Sequence, residues 1–177
     1  MRDEQRDLVD TLVDQWAVEM PKYNGAAKGL VYRLIYVNER YMAAMQTRLR
    51  KQGLTLGSYG VLACLRRQGE PYAMSPTAIF QALSLSSGGV SNLLEKMEKD
   101  RLVKRSPDPN DRRGVLVKLT TRGQVIADEA AAIENEAEQD FISDISDAEL
   151  GAMNAILRRV LIQLDGAAMP DDDENGS

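Results

Sequence analysis

The chain has 177 residues, 44% hydrophobic and 28% charged, enough for one domain with a core, or for a small domain plus dimerisation helices. One cysteine and no histidine exclude an internal disulfide framework, deny a zinc site its usual nitrogen ligands and remove imidazole general-base catalysis. The net charge of −5 is unevenly spread: residues 22–122 hold 18 basic and 7 acidic side chains, whereas both flanks are acidic, a distribution that offers one face to phosphates and keeps the ends off them.

No apolar run approaches the roughly 20 residues that span a bilayer. The opening Met-Arg-Asp-Glu-Gln-Arg has no apolar stretch of the secretory kind behind it, so a cytoplasmic protein without cofactor or metal is expected. Leu8, Leu12, Trp16 and Met20 recur at every fourth position and predict an amphipathic helix, stopped by Pro21 and Asn24-Gly25. From about residue 26 to 51 a second, longer helix carries Leu30, Leu34, Val37, Tyr41 and Met45, widened by Val31, Ile35 and Met42. An apolar arc this wide predicts burial on more than one side, and Gly53 suits its C-terminal stop.

Thr55 is placed to cap a helix over about 56–68 with Tyr59, Leu62 and Leu65 inward. Cys64 lies within that pattern and reads as a small core residue. A redox role would need an exposed thiolate of low pKa, hinted at only by the neighbouring Arg66 and Arg67. Ser75-Pro76 is an N-cap with proline at the first helical position. It opens a short helix that places Ile79, Ala82 and Leu83 inward. After a turn at Ser84-Leu85, Ser86 or Ser87 caps the next helix, which runs to about Lys99, so two short helices joined by a tight turn form a helix-turn-helix.

On that second helix Val90, Leu93, Leu94 and Met97 share one arc, and Gly88, Ser91, Asn92, Glu95 and Lys99 share the other. Its exposed N-terminal end is small and polar, as entry into a major groove about 12 Å wide requires. Strands are expected at Leu102–Arg105 and from Val115 to Leu119. The Pro-, Asp- and Asn-rich connection from Ser106 to Gly114 reads as longer than a two-residue hairpin loop. Its tip carries Asp111-Arg112-Arg113. Arginine at a loop tip suits a narrow minor groove, and Asp111 could orient one of them through a bidentate pair.

Thr120 caps a helix with Val125, Ile126, Ile133 and Ala137 on its apolar side, ending near Ser143. Ser146 and Glu149 form a capping box for a last helix stopped by Gly166. The remaining tail is acidic and expected to be disordered. The end helices carry more apolar surface than a small winged helix could cover, which points to dimerisation. The expected organisation is therefore N-terminal helices over 1–52 (dimerisation and pocket wall), a winged helix-turn-helix domain over 53–122, C-terminal dimerisation helices over 123–166 and a tail over 167–177. The fold class is mainly α with a small β-hairpin wing.

The run from Leu102 through Asp111-Arg112-Arg113-Gly114 to Leu119-Thr120-Thr121-Arg122-Gly123, with the spacing from Leu56 through Ser75 to Ser87, resembles the MarR family of bacterial transcription regulators over about residues 26–165. The resemblance implies a homodimer that binds a pseudo-palindromic double-stranded DNA operator, usually as a repressor released by a small aromatic or phenolic ligand, and associated with the bacterial nucleoid when DNA-bound. It implies that Ser87, Gly88, Ser91, Asn92 and Lys96 serve the recognition helix, and that Asp111, Arg112 and Arg113 serve the wing. Asn92 stands where relatives often have a basic residue and could pair with adenine instead. The implied ligand site lies between the long N-terminal helix and the DNA-binding lobe, with Trp16, Tyr36, Arg40 and Tyr59 as candidates. Core packing or surface pairing is the other role open to each. Trp16 also resembles the N-terminal tryptophan of the urate-responsive subgroup, but Gly60 and Leu93 stand where that subgroup has its acidic residue and arginine. The alternative function is a winged-helix dimerisation or protein-interaction module that does not bind DNA. An enzyme is not expected, because no nucleophile–base pair or phosphate loop is visible.

Overall fold

The computed structural model describes residues 6–83 and 87–167. The turn expected at Ser84-Leu85, the cap expected at Ser86 and almost all of the acidic tail lie outside the described residues. The described chain folds as two compact units divided after Ala137.

The first unit begins with α1 (Leu8–Glu19) and α2 (Gly25–Arg50). Asp7 caps α1 through a reciprocal box with Asp10, and the Asn24 side chain accepts from Ala27 N–H at 3.0 Å. Asn24 therefore starts α2 as well as ending the turn before it. Val9, rather than Leu8, is the buried anchor of α1, and Val13 sits over Gly25 and Gly29. The helix is rotated from the expected stripe, and Leu8 and Met20 are exposed. Arg33 of α2 clamps α1, donating to Asp7 at 2.8 Å and to Asp10 at 2.6 Å.

That clamp fixes a pH dependence. The Arg33 hydrogen bond holds the Asp7 carboxyl below its ordinary 3.8. A depressed carboxylate contributes stability that is present above the unfolded value and lost as pH falls through the lower folded value. Docking of α1 on α2 is therefore expected to persist to about pH 4 and to loosen below it. Asp7→Asn should loosen it already at neutral pH, as read by hydrogen exchange of α1. Equal protection in the variant and the native chain would contradict the clamp.

α2 does not bury its wide apolar arc within the chain. Gly29, Met45 and Leu49 are buried, but Leu30, Val31, Leu34, Ile35, Val37 and Met42 are exposed. The expectation of burial on several sides is thus not met by one chain. The helix closes at Gly53 (φ 71°), where Leu54 N–H reaches back to the Leu49 carbonyl, a Schellman stop that glycine adopts without strain.

α3 (Leu56–Arg67) starts at Thr55 with a capping box to Ser58. It is the centre of the core, with Tyr59, Val61, Leu62, Cys64 and Leu65 all buried. Arg67 donates to the Cys64 sulfur at 3.4 Å, and the thiol is buried. α4 (Pro76–Leu83) is capped by Ser75, whose hydroxyl accepts from Ala78 N–H at 3.1 Å. It buries Ile79, while Ala82 faces solvent, because the α4 contact with α3 runs through Ile79 and Leu83 instead. A Cβ on Gly60 would meet a Leu83 methyl at 2.9 Å, so glycine lets Leu83 pack there without turning its side chain.

α5 (Ser87–Lys99) buries Val90, Leu94 and Met97 against the same core. It ends with Arg101 (φ 59°), where Leu102 N–H returns to the Met97 carbonyl. The sheet has three antiparallel strands in the order β1-β3-β2: β1 (Ala73–Met74), β2 (Val103–Asp108) and β3 (Asp111–Leu119). β1 was not foreseen, and it extends the wing hairpin by a third strand beside β3. α6 (Thr121–Phe141) follows, capped by Thr120. It packs through small residues, Gly123, Ala127, Ala130 and Ala137, whereas Val125 faces out. Of the expected apolar side, Ala137 is buried and Ile126 packs on the core, whereas Val125 is exposed; the close backbone contact is made at Gly123, against Leu102. The Tyr59 hydroxyl donates to the Glu134 carboxylate across 75 residues, and Arg66 donates to Asp128 at 2.7 Å, so α3 holds this part of α6 by polar contacts too.

The second unit holds the end of α6 and α7 (Asp147–Ala167). Ser146 N–H donates to Glu149 at 2.9 Å, and the Ser146 contacts keep the Glu149 carboxyl below its usual range. α7 runs through Gly166 instead of stopping there. Met153, Ile156, Val160, Leu161, Ile162 and Leu164 are exposed along it. No described helix is long and apolar enough to cross a membrane.

Candidate nucleic-acid interface

Two elements present the basic, polar surface that the sequence concentrates between residues 87 and 122. The first is α5. Its three buried anchors and the half-buried Leu93, which lies 3.3 Å from where a Cβ on Gly57 would stand, fix its rotation about its own axis. With that rotation set, Ser91, Asn92, Glu95 and Lys96 are all exposed. Asn92 and Lys96 are four apart and lie one above the other on the same face. Lys96 has no salt bridge among the described residues, whereas Glu98 is engaged with the wing: it accepts Arg105 N–H at 3.2 Å and its carboxylate stands 3.9 Å from the Arg105 guanidinium. The Ser87 side chain lies outside the described positions, though Ser87 and Gly88 both open α5.

The second element is the wing. The strands are longer than expected and the turn between them is shorter: β2 runs to Asp108, β3 starts at Asp111, and only Pro109 and Asn110 connect them. The expected long loop is instead a tight turn followed by an irregularity. Pro107 pairs with Val115 and Asp108 with Asp111, so one step along β2 spans four along β3. Arg112, Arg113 and Gly114 are the residues that bulge. A bulge turns side chains out of the pleat and stops pairing locally, which puts the two arginines at the tip.

Short polar side chains hold this tip. The Asp108 carboxylate accepts Asn110 N–H at 2.9 Å, and the Asp111 carboxylate accepts Arg113 N–H at 2.9 Å. Asp111 thus shapes the backbone beneath Arg113, in place of the expected pair with its guanidinium. A Cβ on Gly114 would meet Asp108 Cβ at 2.9 Å and Asp111 Cβ at 3.1 Å, so the bulge closes only around glycine. Arg113 is exposed and makes no salt bridge among the described residues; the side chain of Arg112 lies outside the described positions.

The base of the wing is locked to α5 and α6. The Thr120 hydroxyl donates to the Arg101 carbonyl at 2.7 Å and accepts Gly123 N–H at 2.9 Å. Thr120 N–H donates to the Leu102 carbonyl at 3.1 Å. The Leu-Thr-x-x-Gly exit is therefore a joint that fixes the base of the wing relative to the end of α5 and the start of α6.

The four candidate pocket residues do different jobs. Trp16 stacks on Tyr23 with ring centroids 5.9 Å apart. Arg40 lies over the Tyr36 ring at 5.4 Å and donates to the Tyr36 carbonyl at 3.3 Å. Tyr59 is buried in the core and bonded to Glu134. Sequence reading missed Glu134 as a partner of Tyr59, since nothing local links two residues 75 apart. Among the described residues no cluster of three or more His, Cys, Asp or Glu could hold a metal ion.

A helix pair with an exposed polar face, joined to a three-stranded wing with arginines at its bulged tip, defines a winged helix-turn-helix fold. The comparisons give the family. A family model described as "MarR family" matches residues 52–114. The HTH-type transcriptional regulator PecS of Dickeya dadantii is 30% identical over 152 residues, which cover 86% of this chain and 92% of that protein. The chain belongs to the MarR family. A MarR variant from E. coli, solved in complex with operator DNA, superposes with a TM-score of 0.65 at 25% identity, covering 88% of this chain and 99% of that one. BpsR of Bordetella bronchiseptica, whose DNA binding is regulated by 6-hydroxynicotinic acid, has a TM-score of 0.63 at 29% identity, covering 73% of this chain and 90% of its own. As a member of a family of transcriptional regulators, the chain is not an enzyme.

Proposed function

We propose that this MarR-family regulator is a homodimeric repressor that leaves a pseudo-palindromic operator when a small aromatic ligand binds. The observation that carries the reading is the pairing of an outward-facing, uncluttered α5 surface at Ser91, Asn92 and Lys96 with the bulged wing tip at Asp111, Arg112 and Arg113. In this reading α5 enters the major groove from its N-terminal end, where Ser87 and Gly88 allow close approach. Asn92 reads adenine, Lys96 meets a phosphate, and the wing arginines enter the adjacent minor groove. Dimerisation is supported by the exposed apolar faces of α2 and α7, which exceed the scattered exposure normal for a monomer. The regulator would act in the cytoplasm on nucleoid DNA. An aromatic effector is supported by the likeness to BpsR.

Footprinting on DNA upstream of its own gene tests the proposal. The expected result is protection of an inverted repeat whose half-site centres lie about one helical turn apart, with two chains per site by sedimentation. A chain that sediments as a monomer, or that protects no sequence in particular, would sink it.

A further inference from the structure

At the end of α5 away from Ser87, about 18 Å along the helix at 1.5 Å per residue, basic side chains gather where α5, β2 and α6 meet. Two hollows adjoin there. One, of about 590 Å³, is lined by Arg101, Lys104, Thr121 and Arg122 among others. The second, of about 420 Å³, is lined by Lys99, Arg101, Arg122 and Ile126 among others. Arg101 and Arg122 line both. All four cations, Lys99, Arg101, Lys104 and Arg122, are exposed, and none makes a salt bridge among the described residues.

The carboxylates on these hollows are Glu98 and Asp100, and Glu98 already faces Arg105, so positive charge prevails. Lys104 also stands directly across the ladder from Lys118. Like charges directly opposite one another are destabilising, and an anion beside them would relieve the repulsion. The backbone holds the cations in place. The Arg101 carbonyl accepts the Thr120 hydroxyl at 2.7 Å, and Thr120 caps the helix whose second residue is Arg122. Arg101 itself takes a φ of 59°, the left-handed region in which glycine is unstrained and arginine is not. Strain of this kind persists where a side chain is needed for function. Here that side chain is the guanidinium common to both hollows.

We infer that this joint is a binding site for a compact polyphosphate anion, with Arg101 and Arg122 at its centre and Lys99 and Lys104 at its two rims. Phosphate oxygens match the donor fork of a guanidinium, and a chain of phosphates can meet cations on both hollows at once. No aromatic side chain lines either hollow, so a nucleobase finds no ring to stack on. Recognition therefore runs through the phosphates, whether the chain is free or carried by a nucleoside. The site is distinct from Ser91, Asn92 and the wing tip, and binding to it requires no DNA.

Calorimetric titration of the full chain, without DNA or magnesium and at about 150 mM salt to screen diffuse attraction, tests the inference. The probes are tripolyphosphate, orthophosphate and ATP. Tripolyphosphate is expected to bind saturably below about 1 mM, with orthophosphate weaker by about tenfold or more and ATP no tighter than tripolyphosphate. Arg101→Gly and Arg122→Gln should each weaken tripolyphosphate by about tenfold, the loss of one charge-assisted contact. Arg101→Gly should melt no lower than the parent, because glycine relieves the left-handed backbone, so its loss of binding cannot be a loss of fold. Lys22→Gln, which removes a cation elsewhere, should bind as the parent does. Undiminished binding by Arg101→Gly and Arg122→Gln, or an equal loss in Lys22→Gln or Arg113→Ala, would overturn the assignment. So would equal affinity for tripolyphosphate and orthophosphate, or ATP binding tighter than tripolyphosphate by about tenfold. Because no operator is present, failure of the DNA reading would leave this result standing, and failure here would leave the DNA reading standing.

Discussion

Replacing Gly123 with alanine is expected to destabilise the chain by about 3 kcal/mol or more, among the larger effects of a single substitution. The cause is local and rigid. An added Cβ would stand 1.9 Å from the Leu102 carbonyl oxygen and 2.9 Å from its carbon, and that carbonyl is backbone that cannot swing aside. It already accepts Thr120 N–H and the Thr120 hydroxyl, and Leu102 is anchored by its own return bond to Met97. Relief would have to separate α6 from the α5–β2 turn, breaking the Thr120 cap and uncovering Ala127 and Ala130. For a chain of this size the loss corresponds to a melting temperature lower by about 10 °C. Urea denaturation measures it directly; a loss below about 1 kcal/mol would show that this joint is loose. The same substitution at Gly151, around which nothing lies within 4 Å, is the control and should be neutral or mildly stabilising.

The second large effect concerns DNA. Arg112→Ala with Arg113→Ala should leave the fold intact, because Asp108 and Asp111 hold the bulge through its backbone N–H groups and Gly114 lets it close. Affinity for operator should fall by about tenfold or more per half-site. If each arginine offsets one phosphate, the slope of log affinity against log salt should become shallower by about 1.8 per chain. Loss of affinity with an unchanged slope would move these arginines off the backbone electrostatics; unchanged affinity would remove the wing from the interface. Asn92→Ala offers a contrast. It should relax preference at one base position, at a cost of about 1–3 kcal/mol there, with the salt slope unaltered.

The sequence made the exposed face of α5 legible because its anchors, Val90, Leu94 and Met97, stand at helical spacing and all three are buried. The wing was legible as a hairpin but not in its geometry. Alternation ended at Arg105 because Ser-Pro-Asp carries no apolar period, yet these residues pair through their backbone. The two residues of β1 were too few for any periodic signal and exist only because β3 offers a partner. Hydrophobic spacing alone did not fix which side of α1 is buried: Leu8 and Val9 are both apolar, and Gly25 and Gly29 of α2 leave room for Val13, four positions on from Val9. On α6 Ile126 and Ala137 were legible as packing residues, but Gly123, Ala127 and Ala130 were not, because small side chains that allow close packing carry little apolar signal. α2 shows a different limit. Periodicity reports that a face avoids water, but not whether its own chain or another covers it. The Arg101 cluster was invisible in the sequence because its cations come from the end of α5, β2 and α6 together.

The proposed function requires that α5 and the wing together read DNA sequence. Fluorescence anisotropy with labelled duplexes tests it most directly, comparing the upstream inverted repeat with a scrambled duplex of the same composition at about 150 mM salt, where the ionic contribution is screened. A preference of about a thousandfold or more for the inverted repeat is expected, the lower end of the range for specific regulators. Equal affinity for the two duplexes, falling together as salt rises, would contradict it.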